Sequence, residues 1–249
     1  MLKVLVLGGT AEARALTQAL EGRSDVSVVA SLAGVTSEPA EYGGEVRVGG
    51  FGGEEGLARH LRDAGVDVLV DATHPFAERI SAHAAAVAAQ VGVPLVRLVR
   101  PAWAPAEGDR WIDVVDLAAA ADQLARLGPE TALLAIGRQH LGAFAGLEGI
   151  RLVVRSVEPP DLRGLADAVA EVGRGPFSVD DEVELLRRHG VGAVVTRNSG
   201  GDDAKLVAAR RLGLPVVVVR RPPTAGPSVA TVAAAVERIE READRRASG

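Results

Sequence analysis

The opening stretch of the chain constrains the fold most, because it reads as a strand, a tight turn and a helix. A short apolar run that ends at Leu7 is typical of a strand buried on both faces. Gly8 and Gly9 end this run, and Ala11 to Leu20 then show helical spacing. Glycines at such a turn let the backbone approach a ligand, and the free N–H groups of a helix start favour a phosphate. Because the full G-x-G-x-x-G pattern is absent, Gly8-Gly9-Thr10 is either a phosphate-binding turn or an ordinary strand–helix connection.

Composition excludes several classes of protein. The 249 residues allow one large domain or two small ones, and the absence of cysteine excludes disulfides, thiolate metal sites and a cysteine nucleophile. We expect no metal site. A net charge of −5 argues against a nucleic-acid partner, and no apolar run approaches the ~20 residues that cross a membrane. Because Met1 leads directly into the first strand, we expect no signal peptide and a cytoplasmic protein.

Strands and helices alternate along the chain. This predicts an α/β fold with two Rossmann-like domains, each a mainly parallel sheet with helices on both faces. In the first half, the patterns predict strands at 26–31, 45–48, 66–71 and 94–99 and helices at 54–64 and 78–91. In the second half, they predict strands at 111–115, 131–136, 150–154, 193–196 and 215–219, helices at 180–189 and 204–212, and a helical tail at 229–246. Prolines and a glycine within 100–109 mark a linker, so the domains are assigned to 1–100 and 101–249.

The end of the second predicted strand bears on the choice between NAD and NADP. An Asp or Glu commonly stands there in NAD-specific sites and binds the ribose 2′-hydroxyl. This chain has Ser31 instead, followed shortly by Gly34. A carboxylate would repel a 2′-phosphate, so its absence favours NADPH. Arg14 in the first helix is either a partner of that phosphate or an ordinary solvent-exposed arginine.

Glycine-rich and polar segments follow the next two strands. Residues 49–53 contain four glycines, which predicts either a close approach of the backbone to a ligand or a flexible connection. Residues 71–77 place Asp71, Thr73 and His74 at the carboxyl end of a strand, where ligands bind in open α/β sheets. Taken alone, His74 is more typical of a structural hydrogen-bonding residue than of a catalyst.

Basic residues follow strand after strand in the second half. The carboxyl ends of parallel strands share one edge of the sheet, so these basic residues predict an electropositive cleft. The alternative is that one or two of them stand there by chance, because arginine is common in this chain. These positions are Arg100, Arg138 with Gln139, Arg155, Arg197 with Asn198 and Ser199, and Arg220 with Arg221.

Lys205 is one of only two lysines among 28 basic residues and lies near the start of a predicted helix. One hypothesis is that its ammonium joins the positive helix end in binding an anion. The alternative is that Asp202 and Asp203 at the same helix end neutralise it.

Several motifs together resemble the precorrin-6A reductase and cobalt-precorrin-6A reductase family of cobalamin biosynthesis. The matching segments are residues 8–14, 31–34, 71–77, 100–103, 136–138, 174–178 and 198–201 with Lys205. The most specific of them are Asp-Ala-Thr-His-Pro-Phe at 71–76 and Asn-Ser-Gly-Gly at 198–201. Arg197 departs from the family pattern, because lysine is expected there in many relatives, so no catalytic role is assigned to it.

The resemblance implies NADPH-dependent reduction of one double bond of the precorrin-6A macrocycle to give precorrin-6B, or of the cobalt-containing equivalents. It also implies a cofactor between two Rossmann-like domains, a tetrapyrrole substrate with many carboxylates, and transient contact with neighbouring pathway enzymes. The alternative is a non-catalytic NADP(H)-binding regulatory or sensor module, which the same turns would serve.

The predicted site residues fall into three groups. The cofactor-binding candidates are Gly8, Gly9, Thr10, Glu12, Arg14, Ser31, Gly34, Gly49, Gly50, Thr73 and His74. The substrate-binding candidates are Arg100, Arg138, Asn198, Ser199, Gly200 and Lys205. The candidates for a catalytic role are Asp71, His74 and Lys205.

Overall fold

The structure is a computed structural model that describes residues 1–34, 41–224 and 226–247. It consists of two compact units. The first unit combines Met1–Pro101 with Pro222–Gly249, and the second comprises Ala102–Arg221.

The regular elements alternate much as the sequence predicts. In chain order they are β1 (Leu2–Leu7), α1 (Ala11–Leu20), β2 (Val26–Leu32), β3 (Glu45–Val48), α2 (Glu54–Ala64), β4 (Val68–Asp71), α3 (Glu78–Val91), β5 (Leu95–Arg97), β6 (Arg110–Val114), α4 (Leu117–Leu127), β7 (Thr131–Ala135), a 3-10 helix (Arg138–Phe144), β8 (Arg151–Ser156), β9 (Ala168–Val172), α5 (Val179–Arg188), β10 (Ala193–Arg197), α6 (Ala204–Arg211), β11 (Pro215–Val219) and α7 (Val232–Ala247). Capping residues define several helix starts: Thr10 caps α1, Asp116 caps α4, and Ser178 begins α5 with a capping box.

The first unit is a five-stranded parallel sheet in the order β3-β2-β1-β4-β5. Alternate residues of β1 point to opposite faces, as the pleat requires. Val4 packs in one buried cluster with Leu16 of α1 and Ile239 of α7. Leu5 packs in the other with Leu57 of α2. Helices therefore cover both faces of this sheet, as predicted.

The second unit is a six-stranded parallel sheet in the order β6-β11-β10-β7-β8-β9. Leu133 and Val194 pack against Leu186 of α5 and Leu206 of α6, while α4 packs along β6, β10 and β11. The predicted fold class, two parallel α/β sheets with helices, is confirmed.

The C-terminal segment differs from the predicted domain division, which assigned all of 101–249 to the second domain. Residues from Pro222 onward belong to the first unit. Val229 forms a parallel bridge with Leu98 beside β5, and Ala235 and Ile239 of α7 are fully buried in the same cluster as Leu16. The physical reason is that the apolar stripe of α7 completes the core of the first sheet.

Each sheet has one point at which its strand order reverses direction, and ligands bind at such points in open α/β sheets. In the first unit, this switch point lies between β1 and β4. In the second unit, it lies between β7 and β10.

Candidate functional site

The Gly8-Gly9-Thr10 turn lies at the switch point of the first unit. Gly9 has a φ of +112°, and a side chain added there would meet no atom within 4 Å. Thr10 Oγ1 accepts a hydrogen bond from Ala13 N at 3.1 Å and donates one to Ala72 O at 2.7 Å. Thr10 therefore caps α1 and ties its N-terminus to the loop after β4. Open space at Gly9 beside a helix N-terminus is suited to an anion such as a phosphate.

Tyr42 was missed in the sequence analysis, although it is the only tyrosine of the chain. Its hydroxyl accepts a hydrogen bond from Gly9 N at 3.1 Å. A Cβ at Gly8 would lie 3.4 Å from the Tyr42 ring. Tyr42 therefore orients the glycine turn through the backbone.

Arg47 at the end of β3 was also missed, and it organises the second cofactor segment. Its Nη1 donates to Ser31 Oγ at 3.3 Å and to Gly49 O at 2.5 Å, and its Nη2 donates to Gly50 O at 2.9 Å. The guanidinium carbon lies 4.1 Å from the centre of the Phe51 ring, a cation–π arrangement. A positive charge therefore stands beside Ser31, at the strand end where NAD-specific sites carry an acid.

The charge of Arg47 also reaches a neighbouring histidine. His60 of α2 has its ring 5.2 Å from that of Phe51. Burial, and secondly the charge of Arg47, lower the pKa of His60 below its usual range. Lowering the pH therefore destabilises the packing of His60 near Arg47, because a protonated His60 would repel the guanidinium.

For Arg14 and Gly34, the structure shows fewer contacts that would support the predicted role in cofactor binding. Arg14 is half-buried on α1, and its side chain forms no hydrogen bond or ion pair within the described ranges. Gly34 follows β2, and a Cβ there would lie 3.3 Å from Val48 Cγ1. Residues 35–40, which come directly after it, lie outside the described residues.

The loop after β4 is held by Asp71. This carboxyl is 4% exposed, and its Oδ1 accepts hydrogen bonds from Thr73 N at 3.2 Å and Thr73 Oγ1 at 2.7 Å. His74 Nδ1 accepts from Phe76 N at 3.3 Å. Because that nitrogen is an acceptor, a neutral His74 ring carries its proton on Nε2.

Two residues predicted for different ligands contact each other. Arg100 Nη1 and Glu12 Oε2 form an ion pair at 2.9 Å, with side chains 18% and 24% exposed. The structure thus brings a predicted substrate residue and a predicted cofactor residue together at the first turn of α1.

Asn198 in the second unit clamps the backbone of Trp103. Its Oδ1 accepts from Trp103 N at 2.8 Å, and its Nδ2 donates to Trp103 O at 3.0 Å. Trp103 Nε1 donates to Gly201 O at 2.9 Å. Lys205 Nζ lies 4.6 Å from the centre of the Trp103 ring and 3.5 Å from Asp202 O. The two sequence motifs at 100–103 and 198–205 therefore meet through Trp103.

Ser199 and Gly200 complete the turn after β10. Ser199 N donates to Arg197 O at 2.6 Å. Gly200 is buried and has a φ of +68°.

Acidic side chains from other elements form ion pairs with two of the arginines that were predicted to line the basic edge of the second sheet. Arg138 pairs with Glu158 at 2.9 Å. Arg155 pairs with Glu182 of α5, and the two side chains are only 10% and 2% exposed. The expectation that Arg155 lines an open cleft is therefore wrong, since the buried carboxylate of Glu182 on α5 binds its guanidinium.

Arg197 and His140 form a further cluster that the sequence analysis did not predict. Arg197 Nη1 lies 3.2 Å from His140 Nε2. Both residues are half-buried; Arg197 ends β10, and His140 follows the adjacent strand β7.

The described residues limit the other classes of site. Across residues 1–34, 41–224 and 226–247 there is no group of three or more metal-ligating side chains arranged to hold an ion. Over the same ranges, none of the helices is both long and apolar enough to pass through a membrane.

The fold and the glycine turn at the switch point define an α/β protein of the Rossmann-like class. A model of the family described as precorrin-6x reductase CbiJ/CobK matches residues 3–240. The chain belongs to this family and is an oxidoreductase of cobalamin biosynthesis.

Individual relatives support the same assignment. The precorrin-6A reductase of Rhodococcus erythropolis is 48% identical over 225 residues, which are 90% of either chain. The cobalt-precorrin-6A reductase of Priestia megaterium is 30% identical over 88% of this chain and 90% of its own. The solved structure of CobK precorrin-6A reductase is 42% identical and superimposes with a TM-score of 0.90 over 97% of each chain.

Proposed function

We propose that the chain reduces one double bond of precorrin-6A to give precorrin-6B, with NADPH as the reductant. The observation that carries the cofactor choice is Arg47 beside Ser31 at the end of β2. A carboxylate at that position would select NAD, whereas a guanidinium is suited to a phosphate.

The residues of the first unit fit such a cofactor. The open space at Gly9 and the N-terminus of α1 would receive the pyrophosphate. Ser31 and Arg47 would hold the 2′-phosphate, and Gly49 and Gly50 would line the same region through their backbones. When bound, NADPH supplies the hydride, and the protein positions the reactants and excludes water.

Reduction of a carbon–carbon double bond also consumes a proton. His74 is our candidate for holding it, on Nε2, because Nδ1 accepts the hydrogen bond from Phe76 N. Asp71 is assigned to positioning, since its Oδ1 accepts hydrogen bonds from Thr73 N and Thr73 Oγ1 in the loop that carries His74.

Identity levels favour a cobalt-free substrate. Relatives named precorrin-6A reductase are 43–48% identical to the chain, and those named cobalt-precorrin-6A reductase are 27–32% identical. Transient contacts with the enzymes that make and use these macrocycles belong to the same proposal.

The test is to follow NADPH absorbance with the purified chain and precorrin-6A. We expect oxidation only when the tetrapyrrole is present. Binding of NADPH without oxidation in the presence of substrate would contradict the proposal and favour the sensor alternative.

We expect the chain to bind NADPH more tightly than NADH by about tenfold or more, because one charge-assisted hydrogen bond contributes about 1.5–3 kcal/mol. Arg47→Met is expected to raise the Kd for NADPH by about tenfold and to leave that for NADH nearly unchanged. Arg14→Met is the matched control, since it removes the same charge from α1. Wild-type Kd values within about threefold of each other would rule out 2′-phosphate recognition, and an effect of Arg14→Met alone would move that role to Arg14.

The proposed anion-binding role of Lys205 predicts that Lys205→Ala raises the KM for the tetrapyrrole or for NADPH by about tenfold or more. Thermal stability should change little, because a partly exposed cation–π contact contributes about 0.5–1 kcal/mol. Lys205→Arg retains the positive charge and serves as the control. Unchanged kinetics together with a clearly lower Tm would assign Lys205 to holding Trp103 instead.

A further inference from the structure

The switch point of the second unit carries its own cluster of polar side chains. It lies where the carboxyl ends of β7 and β10 meet, and the crevice at such a point binds ligands in open α/β sheets. Gly137 follows β7, His140 lies on the 3-10 helix, and Arg197 ends β10. Nothing in the proposed cofactor site uses these three residues.

The three residues are in close contact. Arg197 Nη1 lies 3.2 Å from His140 Nε2. A Cβ at Gly137 would come within 3.3 Å of Arg197 Nη2 and 3.9 Å of the His140 ring, and Gly137 also has a φ of +89°. A side chain at this position would be strained by the positive φ and would crowd the guanidinium. The turn after β7 therefore leaves space in which the Arg197 guanidinium lies beside His140.

The protonation states of His140 and Arg197 leave both side chains with N–H groups that can donate hydrogen bonds. Burial, and secondly the charge of Arg197, lower the pKa of His140, so its ring is neutral at neutral pH. Since His140 Nε2 accepts from Arg197, the ring proton lies on Nδ1. Burial lowers the pKa of Arg197, but a guanidinium remains charged at neutral pH. N–H donors around a half-buried positive charge suit a carboxylate.

We propose that Arg197 and His140 form a carboxylate-binding site at the switch point of the second unit, which receives one carboxylate of the tetrapyrrole. The assignment of the ligand rests on the proposed function. Arg197, which the sequence analysis placed only on the basic edge of the second sheet, is thereby assigned to substrate binding.

The probe for this site is uroporphyrin III, a tetrapyrrole with eight carboxylates. Its binding can be followed by quenching of the two tryptophans, Trp103 and Trp111, both of which lie in the second unit. Arg197→Met is expected to raise its Kd by about tenfold, the effect of losing a charge-assisted contact. Arg151→Met is the matched control, because it removes an exposed arginine at the opposite, amino end of β8.

Further readouts separate ligand binding from a structural role. Arg197→Met should raise the KM for the tetrapyrrole and leave that for NADPH unchanged. If Arg197→Met does not fold, porphyrin binding is measured with Arg197→Lys and His140→Ala instead. Each of these variants is expected to weaken porphyrin binding by about threefold or more.

The inference is overturned if the wild-type chain does not bind the porphyrin, or if the variants at Arg197 and His140 bind it as tightly as the Arg151→Met control. Failure of the proposed function is a separate result, namely a wild-type chain that does not oxidise NADPH with precorrin-6A although porphyrin binding depends on Arg197.

Discussion

Gly9→Val is expected to raise the Kd for NADPH by about 100-fold or more, an effect of about 2.7 kcal/mol. The valine side chain would occupy the open space at the N-terminus of α1 in which we place the pyrophosphate. A β-branched residue also resists the φ of +112° observed at this position. Titration of NADPH into the purified variant measures the effect.

Gly22→Val is the matched control for this experiment. Gly22 also has a positive φ, +77°, and a side chain there would meet no atom within 4 Å, but it lies beyond the opposite end of α1. Both variants should lose similar stability, and only Gly9→Val should lose cofactor affinity. Normal NADPH binding by Gly9→Val would show that the turn does not bind phosphate. If Gly9→Val does not fold, Gly9→Ala replaces it with a smaller side chain.

Arg155→Met is expected to lower the free energy of unfolding by about 3–5 kcal/mol, because it leaves a buried carboxylate without its countercharge. Glu182 is 2% exposed, and its Oε2 already has no hydrogen-bond partner within the described residues, so Arg155 provides its main stabilisation. The Arg155 guanidinium also lies 4.6 Å from the centre of the Phe177 ring. Urea denaturation of the purified variant measures the loss.

Two companion variants test whether charge causes that loss. Arg163→Met removes an arginine that pairs with Asp161 at 2.6 Å but is 91% exposed, so the midpoint of denaturation should not change. Replacing both Arg155 and Glu182 by methionine should recover most of the stability, because neither charge is then buried alone. A double variant as unstable as Arg155→Met would attribute the loss to packing instead.

The periodic patterns of apolar residues in the sequence were sufficient to predict most of the strands and helices. Buried parallel strands are short apolar runs, and amphipathic helices carry a regular apolar stripe, so both can be recognised locally. The strand β9 was missed because it is an edge strand in which polar Glu171 interrupts a half-exposed run. The location of α7 was also missed, since an apolar stripe does not specify which of two sheets it covers.

The candidate site was predicted less completely, because its decisive contacts join distant parts of the chain. The glycine turn and Ser31 could be recognised locally. Arg47 reaches Ser31 only because β3 pairs with β2 in parallel register. Similarly, the pairing of Glu12 with Arg100 spans 88 positions. Sequence position indicates which residues follow strands, but only the fold shows which of them an acid neutralises.

The division of the chain also has a consequence for synthesis on the ribosome. The second unit is a continuous segment that emerges with all of its strands and helices in sequence. Most of the first unit is translated earlier, yet its core lacks Ala235 and Ile239 until α7 has left the exit tunnel. The usual order, in which the N-terminal domain is completed first, is therefore reversed, and the half that carries the glycine turn is the last to close its core.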